Sequence, residues 1–178
     1  MHGVCPSWLS FVLYNPLRKF LTDRERIMAE SAITSASVVL EVGAGNGFLT
    51  EALAARARKV IAVELQEGMV KKLRKRVSRF GDRVDIILGD IASVTLGDAS
   101  ADVCLLYYCF HEVADKAHAV EQISRFVKEG GSLSVYEPGI EVSKADMVNT
   151  VGMFEHAGFV LEHERDNRFT RFARLRKS

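Results

Sequence analysis

The chain has 178 residues, of which 48% are hydrophobic and 26% are charged, and its formal net charge is +1. These values are typical of one soluble domain with a buried core, and they argue against a globally basic nucleic-acid-binding protein. Cys5, Cys104 and Cys109 are odd in number and lack CxxC spacing, so neither a disulfide framework nor a zinc site is expected. We therefore expect a reducing, cytoplasmic location.

The first residues are apolar but too short a run to cross a bilayer, which takes about 20 residues. Because no Lys or Arg precedes the apolar part, a cleaved signal peptide is not expected. Apolar residues from Trp8 to Leu13, followed by Arg18 and Lys19, favour an amphipathic helix over 7–20. Such a helix could pack on the domain, cover a ligand as a lid, or lie on a membrane surface.

A second helix is predicted next. Thr22 and Glu25 have the spacing of a capping box, which favours a helix over 22–34. We therefore expect an N-terminal helical segment, 1–35, that packs on the following residues 36–178 or covers their ligand. The chain as a whole is expected to form a single domain.

From residue 36 onward, short β-branched apolar runs alternate with segments of helical period. This alternation predicts a parallel sheet covered by helices on both faces. The predicted strands are 37–42, 59–65, 83–90, 101–110 and 131–139. The predicted helices are 47–57, 67–80, 116–130 and 143–158.

Glycines and caps indicate where the later helices begin and end. Gly130 and Gly131 favour an end to the helix over 116–130, and Ser143 is the predicted cap of the next helix. Two strand-like runs then flank the sequence RDNR (165–168), as in a β-hairpin. The predicted fold is therefore doubly wound α/β, with a mostly parallel seven-stranded sheet and an antiparallel last strand.

The stretch LEVGAGNGFLT (40–50) contains a glycine-rich turn between a strand and a helix. Gly43, Gly45 and Gly47 alternate with other residues as GxGxG, and such a turn lets a ligand approach the backbone closely. The dinucleotide fingerprint GxGxxG would need glycine at the position of Phe48. The pattern therefore weakens an NAD-binding interpretation and leaves it open as an alternative.

Three acidic residues are predicted at the carboxyl ends of successive strands. Glu41 precedes the glycine turn, Glu64 ends the second strand and Asp90 follows the third. In a doubly wound sheet the ligand crevice lies beyond these strand ends. The acids and the glycine turn are thus expected to contact one ligand.

Residues 38–137 resemble the class I methyltransferases that use S-adenosyl-L-methionine (SAM). The similar motifs are VLEVGAGNGFLT, VIAVEL, ILGDI, LLYYCFHEV and VKEGGSLSVYEPG, and the closing hairpin also fits that family. The resemblance implies the Rossmann-like methyltransferase fold and a reaction that leaves S-adenosyl-L-homocysteine (SAH).

The resemblance also implies a role for each matching residue. The implied SAM contacts are Gly43, Ala44, Gly45 and Gly47 along the methionine part, Glu41 at its ammonium, Glu64 at the ribose hydroxyls, Leu65 and Ile91 against the adenine, Asp90 at the adenine amino group, and Tyr107 near the methionine part.

The fourth motif bears on the acceptor of the methyl group. The stretch YYCFHEV lacks the prolines of enzymes that methylate exocyclic base amines, and it resembles the small-molecule group, which includes quinone-biosynthesis and phospholipid or sterol methyltransferases. A small or amphipathic, lipid-like acceptor is therefore expected. An RNA or protein methyltransferase and a SAM-binding module without catalysis are the alternatives. The sequence specifies neither the acceptor atom nor the oligomeric state.

His111 and Tyr107 are the candidate catalytic residues. His111 can take a proton near neutral pH, so it could act as a general base, or it could only shape the pocket floor. Together with Glu112 it begins the zinc motif HExxH, but the last position holds Asp115, so no metal site is expected.

Two basic stretches have more than one interpretation. The sequence KKLRKR (71–76) favours a solvated helix face, and contact with phosphates is the alternative. Arg171 and Arg174 are expected to lie near an edge strand, where charges discourage association between sheets.

Overall fold

The computed structural model describes residues 23–178, which form one sheet with helices on both faces. The predicted helix over 7–20 and the predicted cap Thr22 lie outside these residues. The fold class expected from the alternation of apolar runs is confirmed.

Within residues 23–178 the elements follow each other in the predicted order. The strands are β1 (Val38–Val42), β2 (Lys59–Glu64), β3 (Val84–Leu88), β4 (Ala101–Tyr107), β5 (Val127–Pro138), β6 (Phe159–Asp166) and β7 (Thr170–Lys177). The helices are α1 (Arg24–Glu30), α2 (Thr50–Arg56), α3 (Glu67–Val77), α4 (Lys116–Phe126) and α5 (Lys144–His156), with short 3₁₀ segments at Ser78–Arg83 and Phe110–Glu112.

The sheet of the described residues has seven strands in the order β3-β2-β1-β4-β5-β7-β6. Strands β1 to β5 pair in parallel, whereas β7 pairs antiparallel with both β5 and β6. The strand order reverses between β1 and β4. In open sheets of this kind, the crevice for a ligand lies outside the carboxyl ends of the strands at such a reversal.

The two faces of the sheet form separate hydrophobic cores. Val39 of β1 packs in a cluster with Met28 of α1 and Leu53 of α2. The next residue, Leu40, points to the opposite face and packs with Phe126 and Phe154 of the last two helices. All five residues of β1 are buried, because both of its faces are covered.

The boundary between α4 and β5 differs from the prediction. The helix ends at Phe126, whereas the sequence predicted a helix to residue 130, because Val127 is fully buried in the sheet and pairs with Ala101. The register then shifts before Ser132 pairs with Val103. Gly130, with φ +70°, thus lies in an irregularity of the strand and does not cap the helix.

Helix α1 is shorter than the predicted range 22–34. Its N-cap is Asp23, whose carboxylate accepts a hydrogen bond of 2.9 Å from the Arg26 amide, whereas the sequence predicted Thr22 as the N-cap. Ile27 and Met28 are buried against the sheet. The described part of this segment therefore packs on the domain.

Arg171 and Arg174 lie on β7, which is an interior strand between β5 and β6. The two residues therefore lie beside the edge strand β6, as expected, and not on the edge itself. Arg171 instead donates to the Val142 carbonyl at 2.6 Å, and Arg174 donates to the Glu30 carbonyl at 2.9 Å. Both side chains connect β7 to neighbouring segments.

Among residues 23–178, no helix has the length and apolar character that crossing a membrane requires.

The capping box of α5 provides a test of the local folding argument. The Ser143 hydroxyl accepts from the Asp146 amide at 3.1 Å, and the Asp146 carboxylate accepts from the Ser143 amide at 3.1 Å. We expect Ser143→Ala to lower the free energy of unfolding by about 1 kcal/mol, because a helix amide loses its acceptor. Urea denaturation measures the change, with the exposed Ser35→Ala as the control. Equal stability of the two variants would contradict the assignment.

Candidate functional site

A cavity of about 590 Å³ lies at the carboxyl ends of the parallel strands. We call the lining residues at and after the ends of β1, β2 and β3 the first wall, and those at and after the ends of β4 and β5, with Phe169 of the hairpin turn, the second wall. The first wall contains Glu41, Val42, Gly43, Ala44, Gly45, Asn46, Phe48, Leu49, Val63, Glu64, Leu65, Gln66, Met69, Gly89, Asp90 and Ile91. The second wall contains Tyr107, Tyr108, Cys109, His111, Glu112, Val113, Ala114, Pro138, Ile140, Glu141 and Phe169.

The glycine loop folds back over the end of β2. The amides of Gly43 and Ala44 both donate to the Val63 carbonyl, at 2.9 and 3.1 Å. Gly45 continues the loop along the cavity, and a Cβ added there would have just the Gly43 carbonyl oxygen within 4 Å, at 3.9 Å. The loop therefore presents bare backbone to the cavity.

Gly47 has a different position from the other two glycines of the motif. It does not line the cavity, and a Cβ added to it would approach Cδ1 of Leu73 to 2.7 Å. The space that Gly47 leaves free is thus occupied by helix α3. Its role in the described structure is to let α3 pack closely against the loop.

Glu64 joins the glycine loop to the turn after β2. Its Oε2 accepts from the Gly45 amide at 2.8 Å, and its Oε1 accepts from the Gln66 amide at 2.8 Å. The side chain is buried, and each carboxylate oxygen keeps a second acceptor position. The sequence indicated a ligand-binding acid here but did not reveal that the same carboxylate fixes the loop.

Glu41 is a buried acid without a partner at one oxygen. Oε2 has no hydrogen bond in the described structure, and 3% of the residue is exposed. Burial raises the pKa of Glu41 to about 8; the nearby Thr50 hydroxyl lowers it and the charge of Glu64 raises it further. The Thr50 hydroxyl oxygen is also buried without a hydrogen-bond partner. A cation in the cavity would stabilise this carboxylate.

Asp90, Ile91 and Leu65 line the cavity at the ends of β2 and β3. Asp90 Oδ1 accepts from the Ala92 amide at 2.9 Å, which orders the turn after β3. Ile91 is buried, whereas Leu65 is 51% exposed at the rim. The carboxylate and the two apolar side chains thus lie near one end of the cavity.

The second wall combines aromatic and apolar side chains with His111, Glu112 and Glu141. The rings of Tyr107 and Tyr108 stack with centroids 4.3 Å apart, and Tyr108 has φ +56°, an uncommon value for a bulky residue. The Tyr108 amide donates to the Tyr136 carbonyl at 2.8 Å, and its hydroxyl lies 2.6 Å from Thr170 Oγ1. Strand β5 and the hairpin therefore hold Tyr108 in this conformation.

His111 contacts a buried acid that the sequence analysis did not single out. His111 Nδ1 lies 2.5 Å from Glu137 Oε2, and its backbone amide donates to Glu137 Oε1 at 3.0 Å. Glu137 is 1% exposed at the end of β5. An acid at the carboxyl end of a buried strand was the signal that identified Glu41 and Glu64, and the same signal could have identified Glu137.

Within residues 23–178, no group of three or more His, Cys, Asp or Glu side chains has an arrangement that could hold a metal ion.

Comparison with known proteins identifies the family. A family profile described as "Methyltransferase domain" matches residues 40–135, which is more than half of the chain. The chain belongs to the methyltransferase-domain family. This result confirms, for the domain, the predicted resemblance to the SAM-dependent methyltransferases and the predicted cofactor class.

The relatives of this chain include methyltransferases that are named for different substrates. A probable ribosomal RNA small subunit methyltransferase A of Methanosarcina mazei is 42% identical over 92 residues, which cover 50% of this chain and 34% of the relative. A ubiquinone/menaquinone biosynthesis C-methyltransferase, UbiE, of Hydrogenovibrio crunogenus is 33% identical over 112 residues, which cover 60% of this chain and 44% of the relative. The chain spans about half, or less, of the length of the curated relatives that it matches.

Solved structures show the same fold. The crystal structure of a SAM-dependent methyltransferase from Aquifex aeolicus aligns with a TM-score of 0.86 and 21% sequence identity, over 98% of this chain and 100% of that one. The predicted Rossmann-like methyltransferase fold is therefore confirmed.

The first wall of this methyltransferase domain has features that fit SAM. The unpaired, buried Glu41 carboxylate matches a cationic group, and the open space above Gly45 allows a ligand to approach the backbone. Glu64 has acceptor positions left for hydroxyl groups. Of the other residues that the resemblance implies as SAM contacts, Gly43, Ala44, Leu65, Asp90, Ile91 and Tyr107 line this cavity, whereas Gly47 does not.

The buried Glu41 makes the stability of the domain depend on pH. Its folded-state pKa of about 8 lies above the ordinary value of 4.5, so the folded state holds the proton more tightly than the unfolded chain. Its contribution to stability is therefore full below pH 4.5 and is lost as the pH rises toward 8.

Glu41→Gln removes this ionisation. Without SAM, the free energy of unfolding of the wild type should decrease from pH 5 to pH 9. We expect this decrease to exceed that of Glu41→Gln by up to about 4 kcal/mol. Urea denaturation at both pH values measures the difference, with Glu121→Gln on the exposed face of α4 as the control. The same pH dependence in the wild type and Glu41→Gln would contradict the burial of an unpaired carboxylate.

Proposed function

We propose that the protein transfers a methyl group from SAM to a small, apolar or amphipathic acceptor. One observation carries this proposal: a single cavity is lined by the acids Glu41, Glu64 and Asp90 with the glycine loop, and also by tyrosines and exposed apolar side chains around His111. The first wall suits a charged nucleoside, and the second suits an acceptor with a large apolar surface.

Several residues that line the cavity have a proposed contact with SAM. Glu41 pairs with the ammonium group, and Glu64 accepts from the ribose hydroxyls while it keeps its bonds to the loop. Asp90 accepts from the adenine amino group. Bound SAM supplies a methyl group on a positively charged sulfur. The remaining proposed contacts are Gly43, Ala44 and Gly45 along the methionine part, Leu65 and Ile91 against the adenine, and Tyr107 near the methionine part.

The rim of the cavity supports an apolar acceptor. Ile140 is 80% exposed and Phe169 is 71% exposed, and both line the cavity. The Gly139 amide donates to the Phe169 carbonyl at 2.9 Å, so the β5–α5 loop and the hairpin turn are joined beside the opening. Two exposed apolar side chains at one opening favour a ligand that covers them.

His111 and Tyr107 are the residues that we propose lie beside the reacting groups. Both line the cavity, and Tyr107 is the last residue of β4. Methyl transfer is a displacement in which correct alignment of the acceptor and the methyl group supplies much of the rate. We assign to Tyr107 the alignment of the methionine part and to His111 the contact with the acceptor.

RNA is a second candidate acceptor because the Methanosarcina relative is named as a ribosomal RNA methyltransferase. The basic side chains of α3 would provide phosphate contacts. Several of them instead make contacts within the protein: Lys71 lies 2.9 Å from Glu67, and Arg76 donates to Asn46 at 3.0 Å. Binding of a short RNA that weakens steeply with added salt would favour this alternative.

The glycine loop provides the test of SAM binding. Gly45 and Gly81 both have positive φ angles, +57° and +53°, and an added Cβ contacts nothing closer than 3.9 Å at either one. Each alanine variant therefore incurs backbone strain on the order of 1–3 kcal/mol without a close steric contact. Gly45 lines the cavity, whereas Gly81 does not.

We expect Gly45→Ala to weaken SAM binding by about tenfold or more, equivalent to about 1.4 kcal/mol, because the new methyl occupies ligand space. Gly81→Ala should bind SAM as the wild type does. Isothermal titration calorimetry measures both, with NAD as the comparison ligand. The proposal fails if the wild type binds NAD and not SAM, or if the two variants bind SAM equally well.

The rim provides the test of the acceptor wall. Phe169 and Val160 are both exposed apolar residues of the last hairpin, but Val160 does not line the cavity. In the presence of SAH, we expect Phe169→Ser to weaken binding of 1-naphthol by about tenfold through lost apolar contact, and Val160→Ser to leave it unchanged. Calorimetry with the probe measures both. A similar loss in the two variants would contradict the placement of the acceptor.

A further inference from the structure

His111 and Glu137 form a pair in which the buried acid orients the ring. Both oxygens of Glu137 are used by the same residue, one by the His111 backbone amide at 3.0 Å and the other by Nδ1 at 2.5 Å. The carboxylate side chain is 2% exposed and the His111 side chain is 22% exposed. The position and rotation of the imidazole are therefore fixed from the buried side.

The other ring nitrogen, Nε2, is on the side of the exposed rim. Glu141 Oε2 lies 3.3 Å from it and Glu112 Oε1 lies 4.0 Å from it. Glu141 is the more exposed of the two, with 58% of its side chain accessible. Because an exposed carboxylate can return to water, an acceptor group could replace Glu141 at Nε2.

From this geometry we infer that His111 Nε2 removes a proton from an acidic hydroxyl of the acceptor and that Glu137 is the residue that positions His111. The acceptor class is an apolar molecule with a phenol- or enol-type hydroxyl, methylated on that oxygen. This inference rests on the proposed function and extends it to the reacting atom and to Glu137.

The proposed reaction transfers one proton to His111 and one methyl group to the acceptor. The acceptor hydroxyl gives its proton to Nε2, and its oxygen forms a bond with the methyl carbon. The bond between that carbon and sulfur breaks, and its electron pair stays on sulfur as neutral SAH. The proton on His111 is then released to water.

The charges around His111 favour a hydroxyl over an amine. Three carboxylates, Glu112, Glu137 and Glu141, surround the ring, and Lys116 Nζ donates to the His111 carbonyl at 3.2 Å. An amine beside these acids would be held as an ammonium ion, which has no lone pair for attack. A hydroxyl that transfers its proton to imidazole produces an ion pair of opposite charges instead.

The strength of the base selects among hydroxyls. The hydrogen bond with Glu137 raises the pKa of His111 above its ordinary value of 6.5, while burial opposes the rise. Imidazole can then take a proton from a phenol, with a pKa of about 10, but hardly from an aliphatic alcohol, which is a far weaker acid.

The test compares Glu137→Gln with a matched pair elsewhere. His118 Nδ1 lies 2.6 Å from Asp115 Oδ2 on the exposed start of α4, so Asp115→Asn breaks a similar contact away from the cavity. NMR titration of the histidine rings, with SAH present, should show a lower pKa for His111 in Glu137→Gln and an altered titration of His118 alone in Asp115→Asn. The same spectra verify that each variant is folded.

Methyl transfer is measured with 1-naphthol and the aliphatic amine 1-naphthylmethylamine as probes. In the wild type we expect O-methylation of 1-naphthol and none of the amine. In Glu137→Gln the rate should fall on the order of a hundredfold, and the acid limb of kcat/KM should move to lower pH, because the base is weaker. SAM affinity should stay within about twofold of the wild type, and Asp115→Asn should transfer at the wild-type rate.

Each opposite outcome is decisive. An unchanged rate and pH profile in Glu137→Gln would overturn the role of Glu137, and so would an unchanged His111 pKa. Preferred methylation of the amine, or no methylation of 1-naphthol by a wild-type protein that binds SAM, would overturn the acceptor class. A wild-type protein that does not bind SAM would instead refute the proposed function.

Discussion

The cavity depends on one carboxylate. Glu64 accepts hydrogen bonds from the amides of Gly45 and Gln66, each at 2.8 Å, and so fixes the glycine loop and the turn after β2 relative to each other. Hydrogen bonds to a charged group contribute about 1.5–3 kcal/mol each. The carboxylate can serve in this way because the parallel sheet brings the ends of β1 and β2 side by side. A ligand that uses the remaining acceptor positions of Glu64 therefore binds to a loop that is already ordered.

The opposite wall is ordered by different means. Strand β5 supplies Glu137 to orient His111, and it supplies the Tyr136 carbonyl that holds Tyr108 in its unusual conformation. The hairpin returns beside β5 and places Phe169 at the opening. The fold thus joins a wall that suits a charged nucleoside to a wall that suits an apolar acceptor, and the proposed transfer of a methyl group requires both to be rigid.

Structural features that depend on a short stretch of sequence could be predicted, whereas contacts between residues distant in sequence could not. The buried strands and the Ser143 cap follow from local patterns, and the structure has both. The end of α4 was misplaced because burial of Val127 in the sheet, a tertiary effect, outweighs the glycine signal. The contact of His111 with Glu137 spans 26 residues of sequence, and no local pattern encodes it. Likewise, the sequence showed that a glycine stands at position 47 but not that Leu73 fills the space beside it.

The most direct test of the account is an NMR titration of the backbone amides with SAH. If SAH lies across the carboxyl ends of the strands, the amide signals of Gly43, Gly45, Gln66 and Ile91 should all shift. Their shifts should follow the same binding curve as SAH is added. The groove between α4 and α5, which Val120 and Met153 help to line, should show no change. Shifts in that groove without shifts in the glycine loop, or no shifts at saturating SAH, would contradict the account.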